Sequence, residues 1–301
     1  RIDACAEMNQ PPHHIRNTNV KAITPRMSTY NTLPHAQSQT RHIVLPEGQE
    51  TRILTWAAFL LSRDIVDLTL LGKPEKIEQI IKQNGISLDL SQLQIINPAK
   101  ADRIESYAEQ FYQLRKHKGA TPEIAREYLL DVSYFGTMMV YAGDADGMVS
   151  GSVHATPHVL RPALQLIKTR SGYSLASSVF FMCLEDRVLV YGDCAINPNP
   201  NAEQLAEIAI SSADTATTFG IEPKVALLSY SSGTSGQGEE VEKVRTATAI
   251  AKQRRPELKI EGPMQYDAAV DLTVGSQKMP HSQVAGQASV LIFPDLNTGN
   301  N

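Results

Sequence analysis

Residues 188–229 decide the fold, and they read VLVYGDCAINPNPNAEQLAEIAISSADTATTFGIEPKVALLS. Two short apolar runs, Val188 to Tyr191 and Val225 to Ser229, are typical of buried strands. Between them, apolar residues recur with the helical period from about Ala202 to Phe219. A strand, a helix and a further strand in this order indicate a parallel crossover. We therefore predict an α/β protein whose parallel sheet is covered by helices on both faces.

The same alternation continues along most of the chain. A second helix is predicted from about Glu239 to Arg254, ending before Pro256 because proline cannot continue a helix. Asn201 with Gln204 predicts the N-cap of the first helix, and Gly220 predicts its end. Further strands are predicted at His42–Leu45, Val66–Leu71, Leu93–Ile96, Gly147–Ser150, Leu258–Ile260 and Ser289–Phe293.

Composition describes an ordinary globular protein. The 301 residues are 42% hydrophobic and 20% charged, and at roughly 150 residues per domain the length predicts about two domains. With 28 basic and 32 acidic side chains the net charge is -4, so no general positive field attracts nucleic acid or a lipid surface. The first residue is not Met and residues 1–12 lack the apolar core of a signal peptide, so we expect an excised piece of a longer protein.

Cysteine usage indicates a reduced, cytoplasmic protein without a zinc site. Cys5, Cys183 and Cys194 are three in number and form no C-x-x-C pair. Cys183 lies in the longest apolar run, Val179 to Leu184, which is too short to span a bilayer, and we expect it to be buried in the core. Cys194 follows a predicted strand, so it is either a core residue or a thiol beside a site.

Polar loops follow five of the predicted strands. They read PEG at 46–48, GSVHAT at 151–156, GDCAINP at 192–198, SSGTSG at 231–236 and PDLNTGN at 294–300. In open parallel sheets, ligands bind outside the carboxyl ends of the strands. The loop at 231–238 precedes a helix, so its amides are candidates to cradle a phosphate, although it matches neither the Walker nor the dinucleotide pattern. An ordinary tight turn stays the alternative for each loop.

Three arginines are candidates for holding phosphate, because guanidinium is permanently charged and binds oxyanions with two donors. They are Arg52 after the first loop, Arg115 in a basic run, and Arg161 near a predicted helix start. A solvated surface charge is the alternative for each. Two carboxylates at strand ends, Asp193 and Asp295, are candidate bases without an evident partner in the sequence.

Two histidines, His154 and His158, lie four residues apart, a spacing that on a helix suits a metal ion. Pro157 stands between them and no carboxylate is nearby in the sequence. We therefore favour no metal, and a polar contact of His154 with substrate or backbone.

The ordered set of motifs resembles the phosphate acetyltransferase (phosphotransacetylase) family, in its long multidomain bacterial form. The matching stretches are IVLPEG at 43–48 with Arg52, LRKHKG at 114–119, DGMVSG at 146–151 through His154, LRP at 160–162, YGDCAINP at 191–198, LSYSSGTSG at 228–236 and FPDLNTGN at 293–300. The likeness covers roughly residues 25–301. It implies two α/β/α domains with an interdomain cleft, similar to the isocitrate and isopropylmalate dehydrogenases. Residues 1–25 would be a linker or tail from an upstream region, 26–170 a first domain and 171–301 a second.

The resemblance also implies an activity, the reversible transfer of acetyl between coenzyme A and phosphate. Coenzyme A and acetyl phosphate would be substrates, no cofactor would be bound permanently, and the enzyme would serve acetate metabolism in the cytoplasm, as a homo-oligomer without nucleic-acid or membrane partners. Arg161 would be catalytic. The implied substrate-binding residues are Arg52, Arg115, His154, Thr156, Ser231, Gly233, Thr234, Asp295, Asn297 and Asn300.

In one respect the chain departs from the family pattern. Members carry a later Asn-Asp-Leu-Ser-Arg-Gly motif and a further Asp, which supply the Ser, Arg and Asp of the reacting centre, and no such motif occurs before Asn301. We therefore expect the 301-residue piece, lacking the completion of its first domain, to bind ligand weakly and turn over negligibly, while the complete parent is active.

Three alternatives stay open. A related phosphate butyryltransferase would transfer a longer acyl group. A metal-dependent hydroxy-acid dehydrogenase would need clustered aspartates, for which Asp144 and Asp146 are the nearest pair, although Asp146-Gly147 more naturally makes a turn before a strand. A non-catalytic ligand-binding fragment would keep the anion site without its chemistry.

Overall fold

The computed structural model describes residues 40–301, which divide after Lys168 into two compact units. We call the described part up to Lys168 the N-terminal unit and Thr169–Asn301 the C-terminal unit. The expected linker at residues 1–25 and Cys5 lie outside the described residues. Within residues 40–301, no helix combines the length and apolar character needed to cross a bilayer.

The N-terminal unit is built on a parallel sheet in the order β3-β2-β1-β4. Its strands are β1 (Arg41–Leu45), β2 (Val66–Leu71), β3 (Gln94–Ile96) and β4 (Gly147–Met148). The α-helices are α1 (Thr51–Leu61), α2 (Pro74–Asn84), α3 (Ile104–Arg115), α4 (Pro122–Tyr128), α5 (Val132–Ala142) and α6 (Thr156–Leu166). Because the strands are parallel, the loops after β1 and β4 emerge at the same edge.

This sheet has an apolar core on each face, so the unit has three layers. Strand residues such as Val44 point into a core with Phe111 of α3 and Phe135 of α5. Their sequence neighbours, such as Leu45, point to the other face, because successive strand side chains alternate. Gly136 lets α5 approach the sheet closely, since a Cβ there would come within 2.7 Å of the Met148 sulfur.

The C-terminal unit holds a five-stranded sheet in the order β5-β6-β9-β7-β8. Its strands are β5 (Val179–Cys183), β6 (Val188–Gly192), β7 (Lys224–Leu228), β8 (Lys259–Met264) and β9 (Val290–Ile292). The α-helices are α7 (Ala202–Thr218), α8 (Glu239–Arg254), α9 (Tyr266–Val270), α10 (Leu272–Lys278) and α11 (Leu296–Gly299). All pairings are parallel except that of β5 with β6.

The predicted mixed α/β class with parallel sheets is confirmed, and each of the eight predicted strands is present within a few residues of its expected bounds. Helices α7 and α8 lie where the periodicity predicts them. The Asn201 side chain accepts the Gln204 N–H while the Gln204 side chain accepts the Asn201 N–H, which confirms the predicted N-cap as a reciprocal capping box.

Strand β5 corrects the sequence interpretation. The apolar run at 179–184 predicts only buried core, but residues 179–183 form an antiparallel edge strand, and Cys183 at its end is exposed rather than buried. An edge strand has a partner on one side only, so its final residue is left open to solvent.

Candidate functional site

The loop after β4 is organised by the buried carboxylate of Glu47, which follows β1. Glu47 Oε2 accepts the backbone N–H groups of Gly151 and Ser152 at 3.0 and 2.9 Å. Its Oε1 accepts those of Val153 and His154 at 2.7 Å each. Burial alone raises the pKa of this carboxyl, but the four backbone hydrogen bonds outweigh it and hold the pKa below its ordinary value. Glu47 is therefore an anion at neutral pH.

Arg52 binds the same loop from the first turn of α1. Its Nη2 donates to the carbonyl oxygen of Ser152 at 2.8 Å, and its Nε donates to the Glu50 carboxylate at 3.1 Å. The Glu50 side chain also caps α1 by accepting the Arg52 N–H. The guanidinium is thus oriented by protein groups on two sides, which restricts the directions from which an oxyanion approaches it.

Two further predicted arginines influence one buried phenol. Burial raises the pKa of the Tyr134 hydroxyl and the nearby Tyr128 acts in the same direction, whereas the positive charges of Arg161 and Arg115 oppose the rise. Arg115 lies at the end of α3 and Arg161 on α6, and their joint binding of one anion stays a prediction. Tyr134 itself donates to Gln165 on α6 at 3.2 Å.

The two histidines occupy one stack rather than one chelating face. Their rings lie 4.4 Å apart between centroids and 12° from parallel. His158 Nε2 lies 2.8 Å from the Asp131 carboxylate, and His154 Nδ1 lies 3.3 Å from the Ser133 hydroxyl. His154 is thus engaged by protein side chains rather than by backbone, its N–H by Glu47 and its ring by Ser133, and its contact with substrate stays a prediction.

Thr156 opens α6 directly after this loop and is exposed. The N-cap residue Ala155 has no side chain that accepts a hydrogen bond, so α6 begins without a side-chain cap. An oxyanion near Thr156 would meet the positive end of the helix dipole. The same helix carries Arg161 on its second turn.

In the C-terminal unit, Asp193 organises a loop by accepting backbone N–H groups, as Glu47 does in the N-terminal unit. Its buried carboxylate accepts the N–H groups of Ala195 and Ile196 at 3.0 and 3.2 Å, and of Asn197 at 2.9 Å. It also accepts the hydroxyl of Ser178 and the side-chain amide of Asn197. The sequence offered no partner for Asp193, but the structure provides several, so this carboxylate is committed to holding the loop after β6.

The loop at 231–236 uses much of its backbone internally. The amides of Ser231, Ser232, Gly233 and Ser235 donate to the Ser229 hydroxyl, the Ser235 hydroxyl, the Pro263 carbonyl and the Ser232 carbonyl, over 3.0 to 3.3 Å. Ser231 and Ser232 are buried, while Thr234 is exposed. The phosphate cradle predicted here stays a prediction, and it would have to rely on groups other than these four amides.

The last loop packs against the loop after β6. Asp295 caps the short helix α11 by accepting the N–H and hydroxyl of Thr298 at 2.8 and 3.0 Å, so it too has a partner that the sequence did not indicate. The Asn300 side chain donates to the carbonyl oxygen of Cys194 at 2.5 Å. Because β6, β9 and β7 are adjacent and parallel, the loops that hold Asp193, Asp295 and Ser231 share one edge of this sheet.

Burial and ion pairs account for the remaining candidate residues, a possible site thiol and two possible metal ligands. Cys194 is fully buried, and this burial, followed by the charge of Asp193, raises the pKa of its thiol to about 12, so it is a core residue. Asp144 pairs with Arg103, and Asp146 pairs with Arg41. Residues 40–301 contain no cluster of three or more His, Cys, Asp or Glu side chains that suits a metal ion.

The predicted site residues are thus divided between the two units. The N-terminal unit holds Arg52, Arg115, His154, Thr156 and Arg161, and the C-terminal unit holds Ser231, Gly233, Thr234, Asp295, Asn297 and Asn300. Within the N-terminal unit, Arg52 binds the loop after β4, which contains His154 and leads into Thr156, while the charges of Arg115 and Arg161 both act on the pKa of Tyr134. Sequence reasoning missed Glu47 and Tyr134. The only available signal was that Glu47 stands in the polar PEG turn after β1.

Comparison with known proteins identifies the family. Residues 28–301 match the family model described as phosphate acetyl/butaryl transferase. The chain belongs to this family. Among curated members, phosphate acetyltransferase of Synechocystis sp. is 66% identical over 289 residues, covering 96% of this chain and 42% of the relative. That of Corynebacterium glutamicum is 53% identical over 268 residues, covering 89% of this chain and 81% of the relative.

Solved members of the phosphate acetyl/butaryl transferase family share the fold. A phosphotransacetylase from Streptococcus pyogenes superposes with a TM-score of 0.84 at 40% identity, over 94% of this chain and 84% of that one. EutD phosphotransacetylase from Staphylococcus aureus gives 0.82 at 41% identity, over 91% of this chain and 84% of that one. The chain spans only 42% and 40% of the first two curated relatives, so it corresponds to part of such long family members.

Proposed function

We propose that the polypeptide to which this chain belongs is a phosphate acetyltransferase, which transfers acetyl between coenzyme A and inorganic phosphate. The observation that carries the proposal is the cationic end of the N-terminal unit, in a chain of this family: Arg52 is held on the loop after β4, and this loop leads into α6, which begins without a side-chain cap and carries the exposed Arg161. Guanidinium groups and uncapped helix amides are both suited to an oxyanion. The curated relatives named phosphate acetyltransferase, at 66% and 53% identity, support the same activity.

In the proposed reaction, the thiolate of coenzyme A attacks the acyl carbon of acetyl phosphate. A C–S bond forms, the C–O bond to phosphate breaks, and the phosphate leaves with the electron pair while the thiol proton passes to a base. Arg161 and Arg115 stabilise the charge that grows on the leaving phosphate, and Arg52 holds an oxyanion beside the loop that Glu47 organises. The resemblance assigns the Ser, Arg and Asp of the reacting centre to the later family motif and a further Asp.

The C-terminal unit contributes substrate-binding groups in this proposal. Thr234 is exposed in the loop after β7, and Asn297 and Asn300 are exposed after β9, where hydroxyl and amide groups suit the polar parts of coenzyme A. Ser231 and Asp295 act mainly by shaping their loops, because both are engaged in internal hydrogen bonds.

The proposal also includes four properties that the family resemblance implies. Two concern structure, namely a two-domain dehydrogenase-like arrangement and assembly as a homo-oligomer. The other two are a cytoplasmic role in acetate metabolism, and coenzyme A as a substrate rather than a resident cofactor. The family resemblance supports each of them. A net charge of -4 creates no general positive field that attracts polyanions, which supports the absence of nucleic-acid and anionic-lipid partners.

The test is an assay of acetyl-CoA formation from acetyl phosphate and coenzyme A, with butyryl phosphate as the alternative donor. We expect negligible turnover by the 301 residues alone, and turnover with acetyl phosphate as the preferred donor by a polypeptide in which these residues are joined to the family's Asn-Asp-Leu-Ser-Arg-Gly segment. Each extra methylene in the donor is worth roughly 1 to 3 kcal/mol of discrimination. Absence of acyl transfer from both donors in the joined polypeptide, with coenzyme A still bound, would favour a non-catalytic binding module instead.

A further inference from the structure

The loop after β4 has the geometry of an anion-binding nest whose anion is part of the protein. Four consecutive N–H groups, from Gly151 to His154, converge on the two oxygens of Glu47 at 2.7 to 3.0 Å. Successive amides that point at one anion form a concave site of this type. The Glu47 side chain is only 3% exposed, so its carboxylate fills the nest and closes it to an incoming phosphate.

The same loop also holds Arg52. Ser152 donates its N–H to Glu47 and accepts a hydrogen bond from the Arg52 guanidinium on its carbonyl oxygen. A displacement of Ser152 therefore moves the acceptor that orients Arg52. Two residues after the nest the chain enters α6, which starts at Thr156 and carries Arg161.

The hydroxyl groups of the loop do not substitute for Glu47. The Oγ atoms of Ser150 and Ser152 are both buried, and neither has a hydrogen-bond partner within residues 40–301. If the Glu47 carboxylate is lost, the four backbone N–H groups that point at this buried position lose their acceptor together. Unsatisfied buried donors lower the free energy of unfolding until the loop rearranges and exposes them to water.

We propose that Glu47 is a positioning residue of the anion site: as an internal anion it holds residues 151–154 in the conformation that orients Arg52 and starts α6 at Thr156, without touching substrate itself. This inference rests on the proposed function only for its kinetic consequence. Its structural part, that the Glu47 carboxylate orders this loop, is testable in the chain without any turnover.

The structural test is hydrogen–deuterium exchange of the 301-residue chain carrying Glu47→Gln. The glutamine keeps the shape but offers one acceptor oxygen and directs an NH₂ group at donors. We expect faster exchange at the amides of residues 151–154 and unchanged protection in β1 and β2. The matched control is Asp89→Asn, because Asp89 also accepts a backbone N–H, that of Ser91, but precedes β3 at the opposite edge of the sheet. Wild-type exchange at 151–154 in folded Glu47→Gln would overturn the inference.

The kinetic test uses the polypeptide joined to the later family motif. Glu47→Gln should lower kcat/KM roughly 10- to 100-fold, mainly through KM, as expected when binding groups are misplaced. Combined with Arg52→Ala, it should cost little beyond Arg52→Ala alone, because both changes remove the same orientation of Arg52. Additive losses would show that Glu47 acts only on general stability, and would overturn its positioning role.

A conservative variant keeps the inference testable if Glu47→Gln fails to fold. Glu47→Asp retains the charge on a side chain one methylene shorter, so it should give intermediate exchange at 151–154 and partial recovery of kcat/KM. Exchange and kinetics both equal to those of the wild type would count against the role of the carboxylate geometry. Failure of the wild-type polypeptide to transfer acetyl would instead contradict the proposed function and leave the exchange result to decide on Glu47.

Discussion

Glu47 and Arg52 bind the two ends of the same residue, Ser152. Glu47 Oε2 accepts the Ser152 N–H at 2.9 Å, and Arg52 Nη2 donates to the Ser152 carbonyl oxygen at 2.8 Å. The carboxylate and the guanidinium both come from the segment after β1, whereas Ser152 follows β4, more than 90 residues later in the sequence. These hydrogen bonds link the carboxyl end of β1 to that of its neighbour β4. Arg52, a residue predicted to bind phosphate, lies at this edge of the sheet.

Acid should remove the stabilisation that the Glu47 carboxylate gives the wild type. Because hydrogen bonds hold the folded-state pKa of this carboxyl below its ordinary value, its stabilisation is fully present above the unfolded-state pKa of about 4.3 and is lost as the pH falls through the folded-state pKa. Glu47→Gln should reduce the free energy of unfolding by about 1 to 3 kcal/mol near neutral pH. Urea unfolding at a series of pH values should show this difference shrinking below about pH 4. A difference that grows toward acid would contradict the assigned direction.

Removing Arg161 should impair catalysis more than folding, because its side chain is exposed. Arg161→Ala in the polypeptide joined to the later family motif should lower kcat/KM by about 1.5 to 3 kcal/mol, the scale of a charge-assisted hydrogen bond. Arg126→Ala is the matched control, since Arg126 lies in the same unit and pairs with exposed Glu105. Steady-state kinetics and thermal unfolding of both variants distinguish the roles. Unchanged kinetics with a lowered Tm for Arg161→Ala would make it a structural ion-pair partner.

Asp193→Ala should destabilise the C-terminal unit. The change leaves the N–H groups of Ala195, Ile196 and Asn197 without their buried acceptor, and each such loss costs about 1 to 3 kcal/mol before the loop relaxes. Asp295→Ala removes a carboxylate that caps only the four-residue helix α11, so its effect should stay near 1 kcal/mol. Urea unfolding followed by circular dichroism measures both. Equal decreases in the free energy of unfolding for Asp193→Ala and Asp295→Ala would contradict the view that the burial of Asp193 makes its loss the more costly one.

The two described cysteines should differ sharply in reactivity. Cys183 is exposed at the end of an edge strand, whereas burial raises the pKa of the Cys194 thiol to about 12 and leaves it inaccessible. In a Cys5→Ser background, one thiol should react with Ellman's reagent in native buffer and the second only in denaturant. Mass spectrometry of the labelled peptides identifies the site. Labelling of Cys194 before Cys183 in native buffer would show that the assigned burial is wrong.

Acetyl transfer should survive a chelator and ignore nicotinamide cofactors. The aspartates that a metal-dependent dehydrogenase would need are already paired, Asp144 with Arg103 and Asp146 with Arg41. Activity of the joined polypeptide should therefore be equal with and without EDTA. Loss of activity on chelation that returns with a divalent cation, or reduction of a nicotinamide cofactor with a hydroxy acid, would favour the dehydrogenase alternative.

Local signals identified most of the secondary structure, because helical and strand periodicity are properties of adjacent residues. Helix α7 begins at Ala202, directly after the N-cap Asn201 that the sequence predicts together with Gln204. Strand β2 has its predicted bounds. Strand β5 was missed because its apolar run has the same local pattern as buried core. Only its antiparallel pairing with β6, at one edge of the sheet, shows that Cys183 faces solvent while Cys194 does not.

By itself the sequence determined the alternating strands and helices and the family, since these follow from residue order within short windows, and it predicted which loops carry chemistry. Only the tertiary structure decided which groups contact one another. Glu47 and Arg52 both bind Ser152, because a parallel sheet brings the ends of β1 and β4 to one edge. Such contacts depend on the order of strands in space, which periodicity along the chain does not encode.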